Sequence, residues 1–142
     1  MWADTLQSFE RQHLLRLIAW GGASALIGTL LLLYLSLRRI KAPLATQFAV
    51  QCAVWGAIDL MWGAFAYRDV PLRDYEGAAS LARLLWMAIG LEAGGVLAGI
   101  TLAIGGWMYV KRLGTVGAGI GVIVQAGALV ILDLILVRGI RL

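Results

Sequence analysis

Three carboxylates, Asp59, Glu92 and Asp133, stand inside stretches otherwise fit for hydrocarbon. A charge at such depth costs on the order of 3 kcal/mol on insertion scales, so each acid is expected to face protein or water rather than lipid. Two chemistries suit them. One is an interhelical lattice of hydrogen bonds and ion pairs that fixes helix register. The other is a path for protons or cations, which needs a polar chain continuing to the far side, and beyond Gln47, Gln51 and Gln125 the sequence offers none. The lattice is therefore the favoured expectation, with partners drawn from Arg16, Arg83 and Arg138, from Gln51 and Gln125, and from the indole N–H groups of Trp20, Trp55, Trp62 and Trp86.

Little else in the chain suggests reaction chemistry. His13 is the one histidine, too few for a bis-histidine haem or a zinc site, and is expected to be solvated at the membrane edge; an axial contact to a pigment is its functional alternative. Ser8, Ser24, Ser36 and Ser80 lack a histidine and acid arranged for nucleophilic catalysis. The glycine clusters lie in or beside apolar spans and read as packing residues, and Cys52 as a small buried one. Trp2, Trp20, Trp86 and Trp107 suit interfacial belts. Trp55 and Trp62 lie deeper, where they would contact a neighbouring subunit, a quinone or a pigment ring.

The elements that must position these residues follow from composition. Of the residues, 61% are hydrophobic and 14% charged, more apolar surface than a soluble domain of this size can hide. Four apolar runs, approximately 15–37, 44–67, 84–110 and 115–137, each reach the roughly 20 residues a helix needs to cross a bilayer. The expected fold is all-α: one integral membrane domain over 1–142, a bundle of four transmembrane helices. Arg38 and Arg39 follow the first run where a cleavage site would want small residues, so that run is expected to be retained. Before it, Leu6, Phe9, His13 or Leu14, and Leu17 make one helical stripe opposite Asp4, Glu10 and Arg11, which predicts a short N-terminal interfacial helix.

"RRIKAP" and "VKRLGTVG" are tight basic connections, so the helices should form two antiparallel hairpins. A shift of 74 residues lays Gln51 on Gln125 and Asp59 on Asp133, with Gly21 on Gly95 and Arg38 on Arg112, which suggests a duplicated hairpin. All three acids then fall on the side of the chain ends, roughly 5 to 11 Å from the bilayer centre at about 1.5 Å rise per residue. On the second helix, Gln47, Gln51, Trp55, Asp59 and Trp62 make a polar and aromatic stripe. The third offers Glu92, Gly95, Gly99, Ala103 and Gly106, the fourth Gly117, Gly121, Gln125 and Asp133, and these faces should meet.

The net charge of +4 arises from basic residues at the ends of the spans, not from a basic run, so nucleic acid is not an expected partner. The end carrying both termini holds Arg11, Arg16, Arg68, Arg73, Arg83, Arg138 and Arg141, whereas the two short turns concentrate Arg38, Arg39, Lys41, Lys111 and Arg112 with no acid among them. A raw count favours termini inside, whereas the density of the turns favours turns in the cytoplasm and both termini on the periplasmic side of an inner membrane, which is the expectation adopted.

With the residues laid out, "LLWMAIGLEAGGVLAGITL" and "GTVGAGIGVIVQAGALVILDLIL" resemble a family of small four-helix bacterial membrane proteins known only as a domain of unknown function. The likeness is best over the last two helices, and "RQHLLRLIAWGGASALIG" and "AVWGAID" fit the first two more loosely. Gln125, Gly127 and Asp133 match its pattern. An Asn-x-Gly-Leu-Asp element stands where this chain has Ala88-Ile89-Gly90-Leu91-Glu92, and an Asn where it has Asp59, so the departures add acids and remove amides. The resemblance implies four helices and bacterial inner-membrane residence, and brings no activity.

The functional expectation is a non-enzymatic accessory subunit of a larger membrane complex, photosynthetic or respiratory, with other integral membrane subunits and the lipid bilayer as partners. The alternatives are a small proton or cation transporter or channel working through Asp59, Glu92 and Asp133, and a quinone- or pigment-binding protein. No cofactor is expected beyond such a lipid, quinone or pigment contact, and no catalytic set can be assembled.

Overall fold

The computed structural model describes residues 2–140, without the side chain of Trp2, so the belt position of Trp2 and the charge of Arg141 lie outside the described residues. Four helices make up the fold: α1 (Trp2–Leu37), α2 (Pro43–Arg68), α3 (Tyr75–Met108) and α4 (Leu113–Gly139). All four are long and apolar enough to cross a membrane. The long helices are the odd ones and the short helices the even ones, as a repeated hairpin would give.

The expected N-terminal interfacial helix is not a separate element. Nothing between Trp2 and Trp20 breaks the backbone, for that stretch holds neither Gly nor Pro, and it forms the first turns of α1. Proline at the first position opens α2, where its missing N–H has no partner to lose. Asp74 caps α3, its side chain accepting from the Gly77 amide at 2.8 Å. The two short turns share a device that no glycine announces: Arg39 and Lys111 each take a left-handed conformation with φ of 51°. After α1, the Ile40 amide reaches back to the Leu35 carbonyl, and after α3 the Arg112 amide reaches the Gly106 carbonyl.

Packing follows the hairpins. α1 lies on α2 and α3 on α4; α2 and α4 then join the hairpins, with a lighter contact between α1 and α4. Among the described residues α3 touches α4 alone. Its inward face repeats every seven residues, through Ala78, Leu85, Glu92, Gly99 and Gly106, so Glu92 stands on the seam itself. The helices approach through small residues. A Cβ on Gly119 would lie 2.5 Å from the Gly99 carbonyl oxygen and 2.6 Å from the Ala103 amide, and one on Gly21 would lie 2.5 Å from the Leu60 amide. Large side chains instead cover the outside, as expected where the surrounding medium is lipid.

Candidate functional site

Each helix supplies one ionisable side chain to an internal layer: His13, Asp59, Glu92 and Asp133. On α1 the buried stripe runs through Leu6, Glu10, His13, Leu17, Gly21, Ser24 and Gly28, in steps of three or four. That stripe carries His13 inward. The expectation of a solvated histidine is corrected: His13 is 8% exposed, with Nε2 3.3 Å from Asp133 Oδ1 and Nδ1 3.2 Å from the Leu132 carbonyl oxygen. When Nδ1–H donates to that carbonyl, the contact between Nε2 and Oδ1 closes only with a proton on it.

The Glu92 carboxyl lies within electrostatic reach of both Asp133 and Asp59. Two neighbouring carboxyls can bond one another only when one of them carries a proton, because an ionised carboxylate only accepts. The four groups thus form one layer, with Asp59 and Asp133 each near Glu92 and Asp133 in contact with His13. It is not a metal cage: among the described residues no group of three His, Cys, Asp or Glu side chains could hold a metal ion. Two oxygens of the layer stand apart. Asp59 Oδ2 and Glu92 Oε2 are buried with no hydrogen-bond partner.

The arginines expected as counter-ions do not join this layer. Arg16, Arg83 and Arg138 are all exposed, and Arg83 bonds Ser80 on its own helix at 3.2 Å. On those exposed faces a guanidinium keeps its hydration, which it would lose on turning inward. Trp62 is 70% exposed and points away from Asp59, which lies instead on the buried face of Cys52, Gly56 and Gly63. The expected stripe joining Gln51, Trp55, Asp59 and Trp62 is therefore split between two faces of α2.

Gln125 organises a second layer, eight residues and hence about 12 Å along α4 from Asp133. Its amide oxygen accepts from the Trp20 indole at 3.1 Å and its amide nitrogen donates to the Ser24 hydroxyl. Trp20, expected in a belt, is turned inward by this bond. Gln51, its counterpart in the repeat, accepts from Trp55 on the same helix at 2.8 Å.

Toward the chain ends, Arg73 grips Glu10 with two bonds of 2.9 Å, and Gln7 donates to the Val70 carbonyl oxygen at 2.8 Å. The hydrogen bond and charge of Glu10 hold the Arg73 guanidinium above its ordinary pKa. Together they pin the α2–α3 connection over the start of α1. Sequence reasoning missed Glu10 and Ser24 as inward groups; continuing the three-and-four spacing from His13 in both directions would have found them.

Because α2 and α3 do not meet, an apolar groove of about 270 Å³ lies between them with α4 as its floor, bordered by Trp55, Leu91, Glu92, Gly95, Gln125 and Leu129. The opposite side of the molecule, between α1 and α4, is closed by His13, Trp20 and Ser24. The shift that lays Gln51 on Gln125 and Asp59 on Asp133 carries those three onto Met87, Gly94 and Ala98 of α3. All three are exposed, and nothing lies within 4 Å of where a Gly94 side chain would begin.

Comparison with curated proteins and with solved structures gives no match. A family model covers residues 16–134, from within α1 to within α4, taking in Gln51, Asp59, Glu92, Gln125 and Asp133 and leaving out His13; the chain belongs to this family of unknown function, DUF6992.

Proposed function

We propose that the chain is a non-enzymatic subunit of a larger integral membrane assembly, seated in a bacterial inner membrane with its two short turns in the cytoplasm and both termini periplasmic. The observation that carries this reading is the unequal closure of the repeated hairpins. On one side α1 gives Gln125 and Asp133 their partners. On the other, α3 stands away from α2, Asp59 Oδ2 and Glu92 Oε2 have none, and the corresponding positions are small or apolar. Small residues on a lipid-facing helix favour the close approach of another helix, since lipid offers no advantage over a packed neighbour. A partner helix entering beside Gly94 and Ala98, and bringing a donor or cation to the level of Asp59, would complete the layer as His13 does on the far side.

Cysteine cross-linking in native membranes tests it. Ala98→Cys should give an adduct with a second protein, and Leu26→Cys, on the exposed face of α1, should not. Equal absence of adducts at both positions would contradict the reading.

The same layer favours a second reading, a small proton-handling transporter, because four helices bring His13, Asp59, Glu92 and Asp133 together with no arginine among them. Proton flux in vesicles that falls severalfold in Asp59→Asn or Glu92→Gln would support it. Flux unchanged in both would remove these acids from any path.

A further inference from the structure

The starts of α2 and α4 lie side by side, because those two helices join the hairpins: Gly114 sits against Pro43 and Gln47. Between the two turns opens a cavity of about 650 Å³ bordered by Pro43, Gln47, Lys111, Arg112, Gly114 and Thr115. A second hollow of about 420 Å³ continues past Pro43 to Lys41 and Thr46. The larger volume is of the size that takes small-molecule groups, about 300–1,000 Å³.

Its electrostatics have one sign. The turns bear Arg38, Arg39, Lys41, Lys111 and Arg112, all exposed, with no acid between residues 38 and 43 or between 109 and 115. Among the described ion pairs none neutralises them. Both helix starts are also open. Neither Ala42 nor Arg112 caps its helix with a side chain, and the first backbone closures come at Thr46 and Thr115. At the other end of the molecule α3 begins under Asp74 with Glu76 in its first turn. The chain therefore closes one helix start with acids and surrounds two others with cations. Helix length puts these turns at the headgroup level, where Trp107 and Tyr109 flank them.

We infer that the cavity between the two turns holds the phosphate of an anionic phospholipid headgroup, with Lys111 and Arg112 as its cations and the open amides at the start of α4 as further donors. Ammonium and guanidinium donors with free helix-start amides are the chemistry that recognises phosphate oxygens. With the turns cytoplasmic, the proposed orientation on which this inference rests, a basic pocket between helices at that surface suits anionic headgroups. A soluble phosphate ester shares that chemistry but lacks the acyl chains that would lie along the apolar helix faces.

The test is native mass spectrometry of the full chain after exchange into an equal mixture of phosphatidylglycerol and phosphatidylcholine. The wild type should retain phosphatidylglycerol preferentially. The pair Lys111→Gln and Arg112→Gln should reduce that retention about tenfold, while Arg38→Gln with Arg39→Gln, equal in charge but outside the cavity, should reduce it less than about twofold. Equal losses in the two pairs, or no preference in the wild type, would overturn the site. Stabilisation of the wild type by inorganic phosphate, abolished by the first pair and without lipid preference, would assign the cavity to a soluble phosphate and overturn the lipid. Thermal unfolding in phosphatidylcholine checks that both variants fold, and each single variant repeats the measurement if the first pair does not.

Discussion

His13 Nε2 lies 3.3 Å from Asp133 Oδ1, joining α1 to α4 across the interior. Removing one member leaves the other buried without its partner, which costs about 1–3 kcal/mol, more than the bond itself contributes. His13→Leu should lower the thermal midpoint in detergent, and adding Asp133→Leu should recover part of the loss, since both buried polar groups are then gone. Fully additive losses in the double variant would show that the two residues do not interact.

Gly119 and Gly99 set the distance between α3 and α4. Gly119→Ala places a methyl against the Gly99 carbonyl and the Ala103 backbone, so the helices must separate, at an expected cost of about 1–3 kcal/mol. Gly94→Ala meets nothing within 4 Å and should leave the stability of the isolated chain within about 0.5 kcal/mol. Thermal unfolding of the two variants compares them directly, and equal effects would refute the packing described.

Arg73 holds the α2–α3 connection to the first turns of α1. Arg73→Ala leaves the mostly buried Glu10 carboxylate without its two charge-assisted bonds, and should destabilise by about 1–3 kcal/mol. Hydrogen exchange should rise first in residues 69–74 and at the start of α1. Unchanged protection there would show that the pair contributes nothing to docking the connection.

The number and order of the helices were legible because apolar runs of this length have one solvent that suits them, and short connections leave hairpins as the solution, though α1 and α3 begin well before their apolar runs. The inward direction of Gln125 and Asp133 was legible too, from the small-residue stripe of α4. Partner choice was not. His13 stands near a charged segment that reads as surface, and only the continuous α1 turns it toward Asp133. Arg16, Arg83 and Arg138 are near the acids in sequence depth but on outward faces, a rotation that depth alone cannot reveal. The turn conformations of Arg39 and Lys111 were hidden for a different reason, since basic residues rarely mark a left-handed position.

The unclosed side between α2 and α3 is the relationship on which the subunit reading stands. Native mass after mild extraction from the organism's own membranes measures it most directly, for the wild type and for Gly94→Leu with Ala98→Leu. The wild type should run within a larger complex, and the double variant, with its small-residue face filled, should be released as the isolated chain. A wild type that runs alone, or a double variant that stays in the complex, would contradict it.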